Sequence, residues 1–169
     1  MAQRINLRDY QIALMDSLQK AGATQSDSSK LSAAAGESNW VVPLAGAGEV
    51  LPVPELTPVP LTRPWFRGLA NVRGNLFGIV DFAAFLGGAV SPIRGSSRLL
   101  LVGERYGLNC GLLVDRMLGL KKPDQLRLTD NPDPAPWLAA RYLDDEGNLW
   151  NELNARELLQ HPSFLQIAA

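Results

Sequence analysis

A single cysteine and a single histidine stand among these 169 residues, and that shortage removes several chemistries at the outset. Cys110 has no partner for an internal disulfide, and its apolar neighbours predict a buried, inert thiol suited to a reducing compartment. A zinc site would need an unusual set of carboxylates. Ser-His or Cys-His catalysis would rest on His161 alone, which reads as a surface or helix-end residue. Phosphate-cradling loops are also missing: neither G-x-x-x-x-G-K-[ST] nor G-x-G-x-x-G occurs, and Gly46-Ala47-Gly48 is too short to stand in for either. No metal and no cofactor is expected. The net charge of −1 lacks the drive for tight binding to nucleic acid or anionic lipid. No apolar run approaches the roughly 20 residues of a membrane span. The start, with Arg4, Arg8 and Asp9, lacks the apolar centre of a signal peptide. A cytoplasmic protein without membrane insertion is the expectation.

The residues that are present divide the chain in two. Leu7, Tyr10, Leu14 and Leu18 recur at spacings of three and four, so residues 5–20 read as an amphipathic helix whose apolar face either packs on the body or binds a partner. Ala21 to Glu37 is rich in Ala, Ser and Gly, with almost nothing large to bury, and reads as a flexible linker. Residues 1–36 are therefore expected to be separable from a domain over 37–169. In that domain, short apolar runs broken by Gly and Pro predict many short strands. Pro52 and Pro54, two apart, place both missing N–H groups on one side of an edge strand. Tyr106, Leu108, Cys110, Leu112 and Val114 share one strand face, with Gly107 and Gly111 opposite, where they permit bending or close backbone approach. Hairpins are expected between Leu99–Val102 and that strand, and between Trp137–Leu143 and Leu149–Leu153. Asn154 with Glu157 suggests a capped final helix, and Asp81 another that ends at Gly87.

Two strands end in an apolar-Val-Asp sequence, at Asp81 and Asp115, and paired aspartates are the machinery of aspartic proteases. The Thr/Ser-Gly that should follow each is absent, and capping explains both positions at lower cost. Residues 61–105 carry six arginines against Asp81 and Glu104, whereas residues 124–157 carry eight acids against three arginines. Ordinary solvated surface accounts for that asymmetry.

The stretch Trp65 to Phe82, which includes Asn71-Val72-Arg73-Gly74 and the strand end Ile79-Val80-Asp81, resembles the central signature of CheW-like chemotaxis adaptors. Val53 and Glu55 stand where that family has a similar pair, and Gly111 to Gly119 resembles its second signature. Phe85 to Arg94 and Gln160 to Leu165 are similar to the branch of the family that serves type IV pilus (twitching) motility. Gly78 departs from a common proline, Met117 from a valine, and Asn154 or Glu152 from a usual aspartate.

The resemblance implies an all-β fold of two linked five-stranded SH3-like barrels with an N-terminal helical extension and short peripheral helices. It implies a non-enzymatic scaffold that couples a methyl-accepting chemoreceptor to a CheA-type histidine kinase. One barrel would pair with the kinase's regulatory domain, and a groove between the barrels would receive the receptor's cytoplasmic signalling tip. The protein-binding residues carried over are Arg73 as polar anchor, with Asn71, Val72, Val53 and Glu55, while Gly68 and Gly74 supply turn geometry and close approach. Trp65 reads as core or interface. The competing reading is an SH3-like or OB-like barrel that binds another peptide or single-stranded nucleic acid.

Overall fold

The computed structural model describes Gln11 and residues 29–102, 106–130 and 134–169. The helix expected over residues 5–20 lies, apart from Gln11, outside them. The strands are β1 (Lys30–Ala35), β2 (Ser38–Pro43), β3 (Val50–Pro52), β4 (Phe66–Val72), β5 (Asn75–Asp81), β6 (Arg98–Val102), β7 (Cys110–Val114), β8 (Arg116–Lys121), β9 (Arg127–Thr129), β10 (Leu138–Leu143) and β11 (Leu149–Leu153). Among the described residues the short α-helices α1 (Phe82–Phe85), α2 (Ala155–Gln160) and α3 (Pro162–Leu165) accompany them, with 3-10 turns at Leu44–Gly46 and Pro123–Gln125.

These strands form a six-stranded sheet in the order β8-β1-β2-β11-β10-β9 and a five-stranded sheet in the order β3-β6-β7-β5-β4. The all-β expectation holds, with six strands rather than five on one side. β3 through β7 are contiguous in the chain, so the five-stranded sheet is inserted between β2 and β8 of the other. Both sheets are antiparallel except where β11 meets β2 and β5 meets β7.

Side-chain alternation explains why the sheets associate. Leu99 and Leu101 of β6, Ile79 of β5 and Leu113 of β7 face a cluster that belongs to the five-stranded sheet alone. Their neighbours Leu100, Val102, Val80 and Leu112 face the opposite way, into a larger cluster shared with Trp40, Val42 and Leu153 of the six-stranded sheet. A strand buried on both faces needs a continuous apolar run, which Leu99-Leu100-Leu101-Val102 and Gly111-Leu112-Leu113-Val114 supply. The six-stranded sheet covers a smaller cluster of its own, Val41, Leu126 and Trp150. Cys110 lies in the shared core, where burial pushes its thiol up to about 12.

The expected hairpins form in register, with Leu99 opposite Leu113 and Tyr142 opposite Trp150. The strand expected from Tyr106 starts at Cys110. β3 is an edge strand, as expected, and contains Pro52, while Pro54 lies just beyond its end. Asn154 Oδ1 accepts from the N–H of Glu157, 3.2 Å away, and caps α2. His161 ends α2 and caps α3 through Nδ1.

The linker expectation needs correction. Lys30–Ala35 is strand β1, paired with β2 on one side and β8 on the other, and Ala33, Ala34 and Ala35 are buried. Small side chains, which in sequence suggest flexibility, here fit a crowded position between two strands. Gly36-Glu37 is a two-residue hairpin loop, with Gly36 at φ 60° as a II′ turn needs at its first central position. Removing residues 1–28 should therefore leave a single cooperative thermal transition, whereas removing 1–36 extracts β1 and should abolish it. Cooperative unfolding of a 37–169 fragment would show that β1 is dispensable.

The β10–β11 turn is organised by Asp144, which accepts from the Trp150 indole N–H (3.0 Å) and from the backbone N–H groups of Glu146 (2.9 Å) and Asn148 (2.8 Å). The indole bond, helped by Asn148 and Glu146 and opposed by burial, holds the Asp144 carboxyl down at about 2. Its folded value lies below the unfolded value of about 3.9, so its contribution is complete above about pH 4 and is lost as pH falls through about 2. Asp144→Asn should flatten the fall in melting temperature across that acid window, and an unchanged acid limb would show the turn is not responsible.

Candidate protein-binding surfaces

Asn71, Val72, Arg73 and Gly74 lie together at the β4–β5 turn, whereas Gly68 lies farther back along β4, opposite Ile79, and Val53 and Glu55 follow the end of β3. β4 and β5 are joined by a two-residue loop, closed by the Val72–Asn75 pair, with Arg73 at φ 51° and Gly74 at φ 85°. Positive φ at both central residues defines a I′ turn, which prefers Asn-Gly or Asp-Gly. Asn71 supports the turn by accepting the Gly74 N–H at 2.9 Å. Arginine gains nothing from left-handed backbone, and a non-glycine residue held there costs on the order of 1 kcal/mol or more. The Arg73 side chain, 72% exposed, forms an ion pair with Glu49, which directly precedes β3. Leu76, 59% exposed, lies across the hairpin from Asn71.

Residues 53–57 run from β3 to the outer side of β4, where Thr57 pairs with Leu69 through reciprocal backbone bonds of 2.8 and 2.9 Å. This crossing brings half-buried Val53 and Val72 onto the same apolar cluster and leaves Glu55 exposed. Gly68 makes the crossing possible. A Cβ there would lie 2.1 Å from the Thr57 carbonyl oxygen, and its φ is +117°. Gly74 has open space around it, so its need is conformational only.

A concavity of about 870 Å³ lies at the seam between the sheets. The β1–β2 turn and the β7–β8 junction form one wall, and the loop from Leu86 to Ser97 forms the other. None of the seven carried-over residues lines it. The expectation that Arg73 anchors a ligand inside the groove between the sheets is thus corrected: Arg73 projects from a hairpin tip outside it. The reason is topological: β5 runs parallel to β7, so the β4–β5 turn at the start of β5 lies at the end of the sheet opposite Asp115, which follows β7 and lines the seam.

The loop that walls the seam is held by Asp81. Its carboxylate caps α1 through the Ala84 N–H (3.2 Å) and accepts from the Ser91 N–H (2.6 Å), the Ser91 hydroxyl (3.0 Å) and Arg67 (3.3 Å). Arg67 also donates to the Ser91 carbonyl at 2.7 Å. Asp115 accepts the Gly36 N–H at 2.7 Å and fixes the β1–β2 turn. Asp81 caps a helix, as its position suggested, whereas Asp115 is followed by β8 rather than a helix and holds a turn distant in sequence. Among the described residues no group of three or more His, Cys, Asp or Glu is placed to hold a metal ion, and no helix is long and apolar enough to cross a membrane. Trp65 packs on Phe85 and Phe164 at ring distances of 5.2 and 6.2 Å and borders the shared core. The sequence reading missed Glu49 as the partner of Arg73 and the turn residues Gly36 to Ser38 in the seam wall. Gly-Glu between two short apolar runs was a hairpin signal for the latter.

Residues 29–163 match the model of the CheW-like domain. This chain belongs to that family. Protein PilI of Pseudomonas aeruginosa is 32% identical over 134 residues, spanning 76% of this chain and 74% of that protein. Chemotaxis protein CheW of Thermotoga maritima is 34% identical over 77 residues, 46% of each chain. The fold is similar to the crystal structure of a scaffolding protein, TtCheW, from Thermoanaerobacter tengcongensis, with a TM-score of 0.67 over 81% of this chain and 95% of that one at 15% identity. The family match starts at residue 29, one residue before β1.

The two glycines of the CheW-like signature should respond differently to a methyl group. Gly68→Ala adds a backbone collision to an unfavourable φ and should destabilise by at least about 3 kcal/mol, whereas Gly74→Ala should cost about 1 kcal/mol. Denaturant unfolding of both variants checks this, and equal losses would remove the Thr57 crossing as the reason for Gly68.

Proposed function

We propose that this chain is a cytoplasmic, non-enzymatic adaptor that couples a methyl-accepting chemoreceptor to a CheA-type histidine kinase, in the signalling system of pilus-based motility. Membership in the CheW-like family and the likeness to PilI support the class of function. The observation that carries the reading is Arg73. A fully charged side chain is raised on a strained turn beside exposed Leu76, at a position where Asn would serve the fold better.

An arginine next to exposed apolar surface is the chemistry that seats an amphipathic helix: packing supplies affinity, and the guanidinium pairs with a carboxylate to set the register. Glu49 leaves Arg73 available, since an exposed pair of this kind is worth less than about 1 kcal/mol and is readily exchanged. The receptor's helical signalling tip is therefore assigned to the surface of Arg73, Asn71, Val72 and Leu76, flanked by Val53 and Glu55. Gly68 and Gly74 shape that surface. The kinase's regulatory domain takes a different face, so both partners can be held at once.

Arg73→Glu should change folding stability by less than about 0.5 kcal/mol, as for most exposed substitutions. Reversing charge at a docking anchor should remove about 2 kcal/mol or more of binding, a loss of more than tenfold in affinity for a receptor tip fragment. Val90→Asp, on the rim of the seam, serves as the comparison and should leave receptor affinity within about twofold. Binding to the receptor tip and to the kinase regulatory domain is measured separately, with thermal unfolding alongside. Loss of binding in proportion to unfolded protein would make Arg73 structural, and a receptor defect in Val90→Asp alone would return the receptor to the seam.

A further inference from the structure

The acid that meets Arg73 is placed there by a close approach of backbone to backbone. The Gly48 N–H donates to the Leu101 carbonyl at 2.8 Å, and the Leu101 N–H donates to the Glu49 carbonyl at 2.7 Å. Residues 48–49 thereby continue the pairing of Val50 with Leu100 along β6. A Cβ at position 48 would lie 2.8 Å from the Leu101 carbonyl oxygen, so glycine is what lets the chain lie this close. Glu49 precedes one edge strand of the five-stranded sheet, and Arg73 follows the other. They meet because the sheet curls and brings its edges together, as Val53 and Val72 also do on their shared cluster. Glu55, likewise exposed, forms no ion pair among the described residues.

The pair contributes little to folding. Arg73 and Glu49 side chains are 72% and 41% exposed, and an exposed pair shifts an equilibrium by less than about fivefold. The same weakness keeps Glu49 from holding the guanidinium rigid for a partner. What Glu49 does supply is occupancy and charge. It accepts from Nη2 of Arg73, on the planar fork that receives a partner's carboxylate through two parallel bonds, and its charge repels a second carboxylate there. An acidic ligand offers Arg73 a pair that Glu49 already provides, so exchanging one carboxylate for the other returns almost nothing. Net affinity then has to come from packing on Leu76, which is exposed, and on half-buried Val72.

We propose that Glu49 is an internal competitor for Arg73. It lowers the affinity of every acidic ligand, so that a ligand relying on charge alone is not retained, and it yields to a helix that sets an apolar stripe beside its acid. This inference rests on the receptor surface assigned above and adds how that surface is guarded.

Glu49→Gln tests it, because it keeps the size of the side chain and the Gly48 approach while removing the charge. Affinity for the receptor tip fragment is measured for the wild type, Glu49→Gln, Arg73→Ala and the double variant, with thermal unfolding alongside to show equal folded fractions. With Arg73 present, Glu49→Gln should bind at least about threefold more tightly, and the gain should vanish at about 1 M salt, where the Debye length is about 3 Å. In the Arg73→Ala background the same substitution should give no gain. A gain of equal size in both backgrounds overturns the proposal, because Glu49 would then repel the ligand without acting through Arg73. Unchanged or weaker binding of Glu49→Gln also overturns it, the latter by making Glu49 a contact of the partner. Each of these results leaves the receptor surface standing so long as Arg73→Ala alone weakens binding. Binding of Arg73→Ala as tight as that of the wild type removes the receptor surface, and this proposal with it.

Discussion

A fully buried carboxylate, Asp81, sets the geometry on which the other features depend. At 0% exposure it has to be satisfied within the protein, because an uncompensated buried charge costs several kcal/mol. Four donors from three places meet that demand: the first turn of α1, Ser91 in the following loop, and Arg67 on β4. Each of the three places fixes a different part of the molecule. The cap starts α1 directly at the end of β5, so Phe82 turns into the shared core and meets Trp40 edge-on at 4.8 Å. Ser91 draws the Gly87–Ser97 loop over the sheet and builds a wall of the seam. Arg67 is held against that loop on the strand that leads to the Arg73 turn. The second aspartate of the repeated pattern, Asp115, does related work where the chain passes from β7 into β8 and grips the β1–β2 turn.

Much of this was legible in the residues because the local signals agreed with the tertiary structure. Continuous apolar runs marked strands buried on both faces, paired prolines marked an edge, and Asn154-x-x-Glu157 marked a helix start. The failures have a common physical origin. Ala33, Ala34 and Ala35 were assigned to a linker because local composition reports how much a residue can bury, and burial between β2 and β8 depends on strands supplied by distant sequence. Arg73 was correctly placed beside a turn, but its position relative to the seam is a matter of strand order. The β5–β7 parallel pair and the insertion of five strands between β2 and β8 decide that order, and neither has a local signature. Glu49 was invisible for the same reason: it approaches Arg73 only because the chain returns across the sheet.

The insertion also bears on how an adaptor transmits force or position. The five-stranded sheet is tied to the other at two points, through the chain from β2 to β3 and through the β7–β8 junction at Asp115. The large cluster between them includes residues from both sheets and from α1, α2 and α3. Surfaces on the two sheets are consequently held in a fixed relation, whereas a flexible linker would let them move independently. For a molecule proposed to hold two partners at once, that rigidity is the useful property, because it converts the position of one partner into the position of the other.

Arg73 shows where the needs of the fold and of a binding surface diverge. Closing β4 onto β5 with a two-residue I′ turn requires two positive φ angles, and Gly74 meets its share without strain. Asn or Asp at position 73 would meet the other share more easily than arginine. The ion pair with Glu49 does not make up the difference, because both side chains are substantially exposed and solvent screens the attraction. Packing does not either, since the Arg73 side chain is 72% exposed. The docking role proposed for the β4–β5 tip supplies a reason for a residue that strains its backbone and returns little to folding; Leu61, at φ 60° and 87% exposed, is a second non-glycine residue held in the same backbone region.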